Sequence, residues 1–309
     1  MSKWLVAALA VQAVMIGGLL TIALDLQAHK RVERLGGVNV WGYRGPVMPS
    51  RQHDEIRIAV VGGDFAFGWG VAAGETLAPT LRRLVLLVTD QPGRPLRPVT
   101  AVNLGATRLA VGAYASWIEH FAYLQPDIVC IVIDPRRRDM GGVSLLPDRE
   151  STAFRVFGYA PILPLVVREK GALTRSWLLR TIGSAAAGVD HVVARALTHA
   201  GADGGAESGA AYAEAIGAAA RSALRIGAGV VVVAPPYADD REAPDHEALA
   251  DMMSSHFAEE RRIRFVDLGD EPEIYDAGFW LPEMAFSAAG HERVAEYVAP
   301  LALDLLVRR

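Results

Sequence analysis

Residues 56–71 read IRIAVVGGDFAFGWGV, and this stretch decides the fold. Its first six residues are almost all apolar, without polar alternation, as expected of a strand covered on both faces of a parallel sheet. Gly62-Gly63 then ends the run. Four more runs of the same kind lie at 99–104, 128–133, 229–234 and 263–268. Helical patterns separate them at about 76–88, 112–124, 210–226 and 244–260. A last helix starts near Ser287, a residue suited to an N-cap, and carries Val294, Val298, Leu301 and Leu305 on one stripe. Pro300 is expected to kink it. Strand–helix alternation of this kind predicts an α/β sandwich of three layers around a five-stranded, mostly parallel sheet.

Upstream lies a segment of another character. Residues 4–24 read WLVAALAVQAVMIGGLLTIAL, in which only Gln12 and Thr21 are polar. At ~1.5 Å per residue, such a run reaches the ~30 Å of a bilayer core. It is longer than the apolar part of a secretory signal and closes on Leu24-Asp25-Leu26-Gln27-Ala28, a poor cleavage site, so an uncleaved transmembrane anchor is expected. Lys30, Arg31, Arg34 and Arg44 after the span argue for a cytoplasmic domain if counted literally. Gly17-Gly18 would let another helix approach closely, or would face lipid.

Composition agrees with a folded chain bearing one apolar span. Of 309 residues, 51% are hydrophobic and 21% charged, which excludes a disordered protein. Mean hydropathy is +0.22. A net charge of −4 offers no general attraction for nucleic acid. Cys130 is the only cysteine, so no internal disulfide or multi-cysteine metal site can form, and its apolar surroundings predict a buried, inert thiol. The eight histidines (29, 53, 120, 191, 199, 246, 256 and 291) show no metal-ligand spacing, and no cofactor is implied. Residues 1–28 form the anchor and its flank, 29–54 a connecting segment, and 55–309 the α/β domain. That domain carries a helical insertion at about 136–226, with a hairpin at about 161–199. Ala and Gly supply nine and five of the twenty residues in 200–219, a tract expected to run as a flexible loop into a helix.

The run Gly62-Gly63-Asp64-Phe65-Ala66-Phe67-Gly68-Trp69-Gly70-Val71, with Asn39-Val40-Trp41-Gly42-Tyr43-Arg44-Gly45 before it, resembles membrane-anchored members of the SGNH (GDSL) hydrolase superfamily. Those proteins carry N-x-x-G-[FY]-R-G and then a strand ending in G-D-S-F-T-F-G-x-G-V. Ser287-Ala288-Ala289-Gly290-His291-Glu292-Arg293 resembles the segment that follows their catalytic histidine. The likeness spans roughly 38–135 and 228–305. It implies a five-stranded parallel sheet flanked by helices, and an extracytoplasmic domain. It also implies a serine nucleophile, an oxyanion hole completed by a Gly amide and an Asn side chain, and an Asp-x-x-His pair. The base must activate a weak nucleophile, and the donors must hold charge developing on the carbonyl oxygen.

Placed without gaps, all five functional positions depart from that pattern. Asp64 takes the place of the serine, Arg108 that of the oxyanion glycine, and Arg136 that of the asparagine. Pro282 replaces the aspartate and Ala285 the histidine. A one-residue slip brings Phe65 to the nucleophile position and Glu283 to the aspartate, which rescues no working set. His291, a turn into the last helix, is assigned a cap-region or surface role. Asp64 and Asp134 could form a carboxylate pair for acid–base work, but Asp64, Arg108 and Arg136–Arg138 on converging loops suit charge pairing better.

The resulting expectation is a catalytically degenerate SGNH-like protein held in the lipid bilayer by one helix. It would serve as a structural or interaction subunit of a membrane complex, photosynthetic, respiratory or envelope-synthesising. Its membrane-protein partners would meet the Gly17-Gly18 face and the globular surface, with Trp177 and Arg180 as candidate contacts. The alternatives are an esterase or acyltransferase with rearranged residues acting on envelope carbohydrate or lipid, and a binding module for an anionic ligand.

Overall fold

The computed structural model describes residues 3–34, 38, 39, 41–89, 97–106, 109–133, 209–235, 243–269, 271–281 and 285–307. These residues fall in two compact units, one ending at Gly42 and the other beginning at Tyr43. The first holds helix α1, Lys3–Arg34, whose apolar side chains are exposed along the expected span. Its stretch Lys3–Ala28 has a mean hydropathy of 2.3 and the length to cross a membrane, as an anchor or as a signal sequence. The helix continues past residue 28, and a β-carbon on Gly17 or Gly18 would meet nothing within 4 Å.

The second unit is the predicted α/β sandwich. Its strands are β1 (Ile56–Gly62), β2 (Val99–Asn103), β3 (Ile128–Val132), β4 (Gly229–Ala234) and β5 (Ile263–Asp267). All neighbours pair in parallel, in the order 2-1-3-4-5. β1, β3 and β4 are buried along their whole length, whereas the edge strands β2 and β5 are partly open. This is why the interior strands read as uninterrupted Val and Ile.

Helices cover both faces. Among the described residues they are, in chain order, α2 (Asp64–Phe67), α3 (Leu77–Thr89), α4 (Tyr114–His120), α5 (Gly209–Arg225), α6 (Ala243–Phe257) and α7 (Ala288–Val307). α3 packs on α7, while α4, α5 and α6 pack in series. Ile56, Ile58, Val60, Cys130, Val231 and Val233 face α3 and α7 in the main core. Each such side chain contributes about 1.5–3 kcal/mol by leaving water. Cys130 is buried as expected, and that burial pushes its thiol up to about 12. α7 runs on through Pro300 to Val307, and Ser287 caps it by accepting from the Gly290 amide at 3.2 Å.

Two elements differ from expectation. The helix expected at 112–124 is three pieces, with 3-10 turns at Val111–Ala113 and Ala122–Leu124 around α4. Phe121 leaves helical geometry as its ring packs edge-on against Tyr43 and Trp117. The segment from Tyr43 to residue 54, expected as part of a connector, belongs to the sandwich.

A buried ion network ties down the amino end of the sheet. Arg57 donates to Glu55 at 2.9 Å and to the carbonyls of Leu124 and Pro49. Asp127 accepts from the Arg57 amide and from Arg51. Burial would raise the Glu55 carboxyl, but hydrogen bonds from Thr100, the Gln52 amide and Arg57 outweigh it and hold the group below its usual range.

Candidate functional site

In a parallel sheet of this order, ligands bind beyond the carboxyl ends of the strands, where neighbouring strands run off in opposite directions. Here that point lies between β1 and β3. The chain leaves β1 through Gly62 and Gly63 and enters the single turn α2, whose first residue is Asp64. Asp64 is partly buried, while Phe65, Ala66 and Phe67 behind it are buried. The turn is closed by Phe67 N to Gly63 O and Gly68 N to Asp64 O, both 2.9 Å. Gly62 is dictated by crowding, since a β-carbon there would stand 2.3 Å from the Val132 carbonyl oxygen.

Arg44, from the upstream motif, straps this turn. The Arg44 amide donates to Asn103 O at 3.0 Å, extending the end of β2 by one antiparallel bridge. Its buried guanidinium then donates to the carbonyls of Phe67, of Gly68 at 2.5 Å and of Val71 at 2.6 Å. It also lies 4.5 Å from the centre of the Phe67 ring. Burial lowers its pKa to about 10, so the group stays charged at neutral pH. Asn103 adds a second clasp, donating to Phe67 O and Thr76 Oγ1 and accepting from the Gly105 amide. The loop therefore has a fixed shape, and it presents Trp69 with 53% of its surface exposed.

The last motif meets the first through aromatic rings. Phe286 lies 4.8 Å from both Phe65 and Trp280, and Phe65 meets Trp280 edge-on at 6.1 Å. Ala285, at the position implied for the histidine, is buried, and its carbonyl accepts from the Leu281 amide at 2.7 Å. A methyl group there can neither accept nor give a proton.

His291 corrects the sequence reading. It lies in the first turn of the helix, but it is no surface residue: only 1% of it is exposed. It packs edge-on to Phe286, and its Nε2 is directed toward Gly68 and Arg44. Neither ring nitrogen has a hydrogen-bond partner. Burial, and then the charge of Arg44, push its pKa down to about 4, so the ring is neutral.

Of the five substituted positions, Asp64 and Ala285 are described, and the residues that follow them, Phe65 and Phe286, pack ring against ring. Arg108, Arg136 and Pro282 lie outside the described residues, as do Asp134, Arg137, Arg138, Glu283, the hairpin at 161–199 with Trp177 and Arg180, and the ion pairs expected with Asp64. Among the described residues no group of His, Cys, Asp and Glu is placed to hold a metal ion. Ser255 touches His256 on the exposed flank of α6, but that ring also contacts the Met252 carbonyl, one turn back. A groove of about 730 Å³ runs between Glu273, Asp276, Phe279 and the start of α7, and includes neither Asp64 nor Ala285. Sequence reasoning missed the roles of Arg44, Asn103 and His291. The signals were the positions of Arg44 in the Asn39–Gly45 motif and of His291 in the Ser287–Arg293 motif.

A parallel 2-1-3-4-5 sheet, with the G-G-D-F-A-F-G turn of residues 62–68 at its switch point and the last motif packed against that turn, is the architecture the resemblance implies. The fold is SGNH-like. No protein-family model matches the chain. No curated protein matches it either. Solved structures do. They include a protein assigned to the G-D-S-L lipolytic family from Desulfitobacterium hafniense DCB-2, at 14% identity over 79% of this chain and 98% of that one, with TM-score 0.43. A family 3 carbohydrate esterase of Clostridium thermocellum is 13% identical over 82% and 98%, with TM-score 0.46. An acetylxylan esterase from Geobacillus stearothermophilus, solved as a catalytic mutant, is 14% identical over 79% and 92%, with TM-score 0.45. The likeness is distant and concerns the fold alone.

Proposed function

We propose that this SGNH-like chain is catalytically degenerate, is anchored in a membrane by α1, and acts as an interaction subunit of a larger membrane complex. The observation that carries this reading is Asp64 at the head of the turn after β1, where the resemblance calls for a hydroxyl nucleophile. A carboxylate there sets negative charge beside the place where an acyl-transfer oxyanion would develop. Loss of one oxyanion donor alone costs about 10²–10³ in rate. Ala285 offers no base in exchange, and the nitrogens of His291 are buried against Gly68. What remains is a folded α/β domain. An anchor would confine it beside neighbouring membrane proteins and raise its effective concentration there.

The test is purification of the full chain in mild detergent, alongside an assay of p-nitrophenyl acetate hydrolysis. A stoichiometric membrane-protein partner, weakened by deleting 1–28, is the expected result. A chain that purifies alone and hydrolyses the ester, with activity abolished by Asp64→Asn, would replace this reading with that of a rearranged esterase.

A further inference from the structure

The loop at 67–71 is held from inside by two nitrogen-bearing side chains that meet at one glycine. Gly68 has a left-handed φ of +77°. A β-carbon built on it would stand 3.1 Å from Arg44 Nη1, 3.1 Å from His291 Nε2 and 2.6 Å from Thr76 Cγ2. Guanidinium and imidazole therefore flank the same backbone point. Arg44 is also the side chain whose donors grip the carbonyls of Phe67, Gly68 and Val71. A neutral imidazole can sit beside that cation. An imidazolium would set two positive charges close together where solvent screening is weak.

Other charges near His291 are engaged elsewhere. On its own helix, Glu292 pairs with Arg83 of α3, and Arg293 with Glu273 and Glu296. On the turn before α3, Glu75 accepts from the Ala72 amide, and on the turn before α7, Asp276 accepts from the Gly278 amide. Asp64 opens α2. Of all these charges, the one that acts on the ionisation of His291 is Arg44.

We propose that Arg44 and His291 form an acid-sensitive latch: with His291 neutral the 67–71 loop is clamped and Trp69 is held in place, and a proton on His291 breaks the Arg44 clamp and frees the loop. The sign follows from linkage. The clamped state holds His291 at about 4, against 6.5 for an unperturbed ring, so the open state binds the proton more tightly and gains as pH falls. Each unit of difference is a factor of ten. Acidification from pH 7 to below 4 thus raises the open-to-clamped ratio by up to about 300-fold.

The experiment is ¹⁹F NMR of the full chain in detergent micelles, labelled with 5-fluorotryptophan, the Trp69 signal being assigned with Trp69→Phe. Amide exchange of 67–71, corrected for its intrinsic pH dependence, is followed in parallel on the unmodified chain. The expected result is a reversible change at Trp69 and a loss of protection in 67–71 between about pH 6 and pH 4. The other indole signals and the far-UV dichroism should hold over that range. In His291→Gln the loop should stay clamped until the whole domain unfolds. The latch is overturned if Trp69 and the 67–71 amides change only together with global unfolding, or if His291→Gln opens at the same pH as the parent. The exchange measurement decides the first point even if the variant does not fold.

Discussion

Gly105 lies so close to Phe67 that a β-carbon on it would stand 2.2 Å from the Phe67 amide nitrogen. That nitrogen is bonded to Gly63 O and closes α2, so the backbone after β2 presses directly on the turn that carries Asp64. Neither side can retreat, because Asn103 holds the Gly105 amide and Arg44 holds the Phe67 carbonyl. Overpacking in such a place costs about 1–3 kcal/mol, and backbone on both sides puts it at the upper end. Gly105→Ala should lower the melting temperature by several degrees. Gly74→Ala, where a β-carbon meets nothing within 4 Å, should leave it nearly unchanged. Equal shifts in a thermal melt would contradict the close approach.

Arg44 spans three carbonyls with one planar fork, which the single ammonium of lysine cannot do. Arg44→Lys keeps the charge but leaves buried acceptors unmet, at about 1–3 kcal/mol for each. Limited proteolysis should then cut near residue 69 well before the parent is cut there. Protection equal to that of the parent would show that the clamp is dispensable.

Glu55 and Arg57 are both nearly inaccessible, and removing either strands the other. Arg57→Met alone should cost about 3–5 kcal/mol, while Glu55→Met with Arg57→Met should cost less than the sum of the single changes. Because the folded carboxyl of Glu55 is held below its usual range, its contribution is complete above its unfolded pKa of 4.5 and fades as pH falls below that. Denaturant melts of the four proteins at pH 7 and pH 4 measure both effects, and additive costs would dismiss the pair.

With α1 as an anchor, the side of the membrane that holds the domain can be read with one engineered thiol. Cys130 is buried and its pKa pushed up to about 12, so it stays silent. Ser116→Cys places a thiol on the exposed side of α4. With the domain outside the cytoplasm, a membrane-impermeant maleimide should label it in intact cells. Labelling that appears only after lysis would place the domain inside.

On the proposed reading, a hydroxyl at residue 64 alone should not give hydrolysis. Asp64→Ser supplies a hydroxyl at the head of α2, but Ala285 stands where the resemblance puts the base, and His291 is buried without a hydrogen-bond partner. Hydrolysis of p-nitrophenyl acetate by this variant should stay at the background rate. Turnover well above it would reveal a working base.

The sequence by itself determined the layers, the strands and the apolar helix, because these follow from local patterns of apolar residues. Runs of Val and Ile at 56–61, 128–133 and 229–234 mark strands covered on both faces whatever lies beyond them, and they became β1, β3 and β4. It also put Asp64 just after β1 and Ala285 just before the last helix, since both sit a few residues from the ends of those elements. Tertiary structure alone decided what Arg44 and His291 do. Both are polar, and composition assigns such residues to the surface. Arg44 is buried because its partners are carbonyls 23 to 27 residues further along. His291 is buried because the chain returns, after the whole sheet has formed, to close over Gly68. Backbone carbonyls and a glycine's missing side chain leave no mark in residue chemistry. Such contacts exist only once strands far apart in the chain have been brought together.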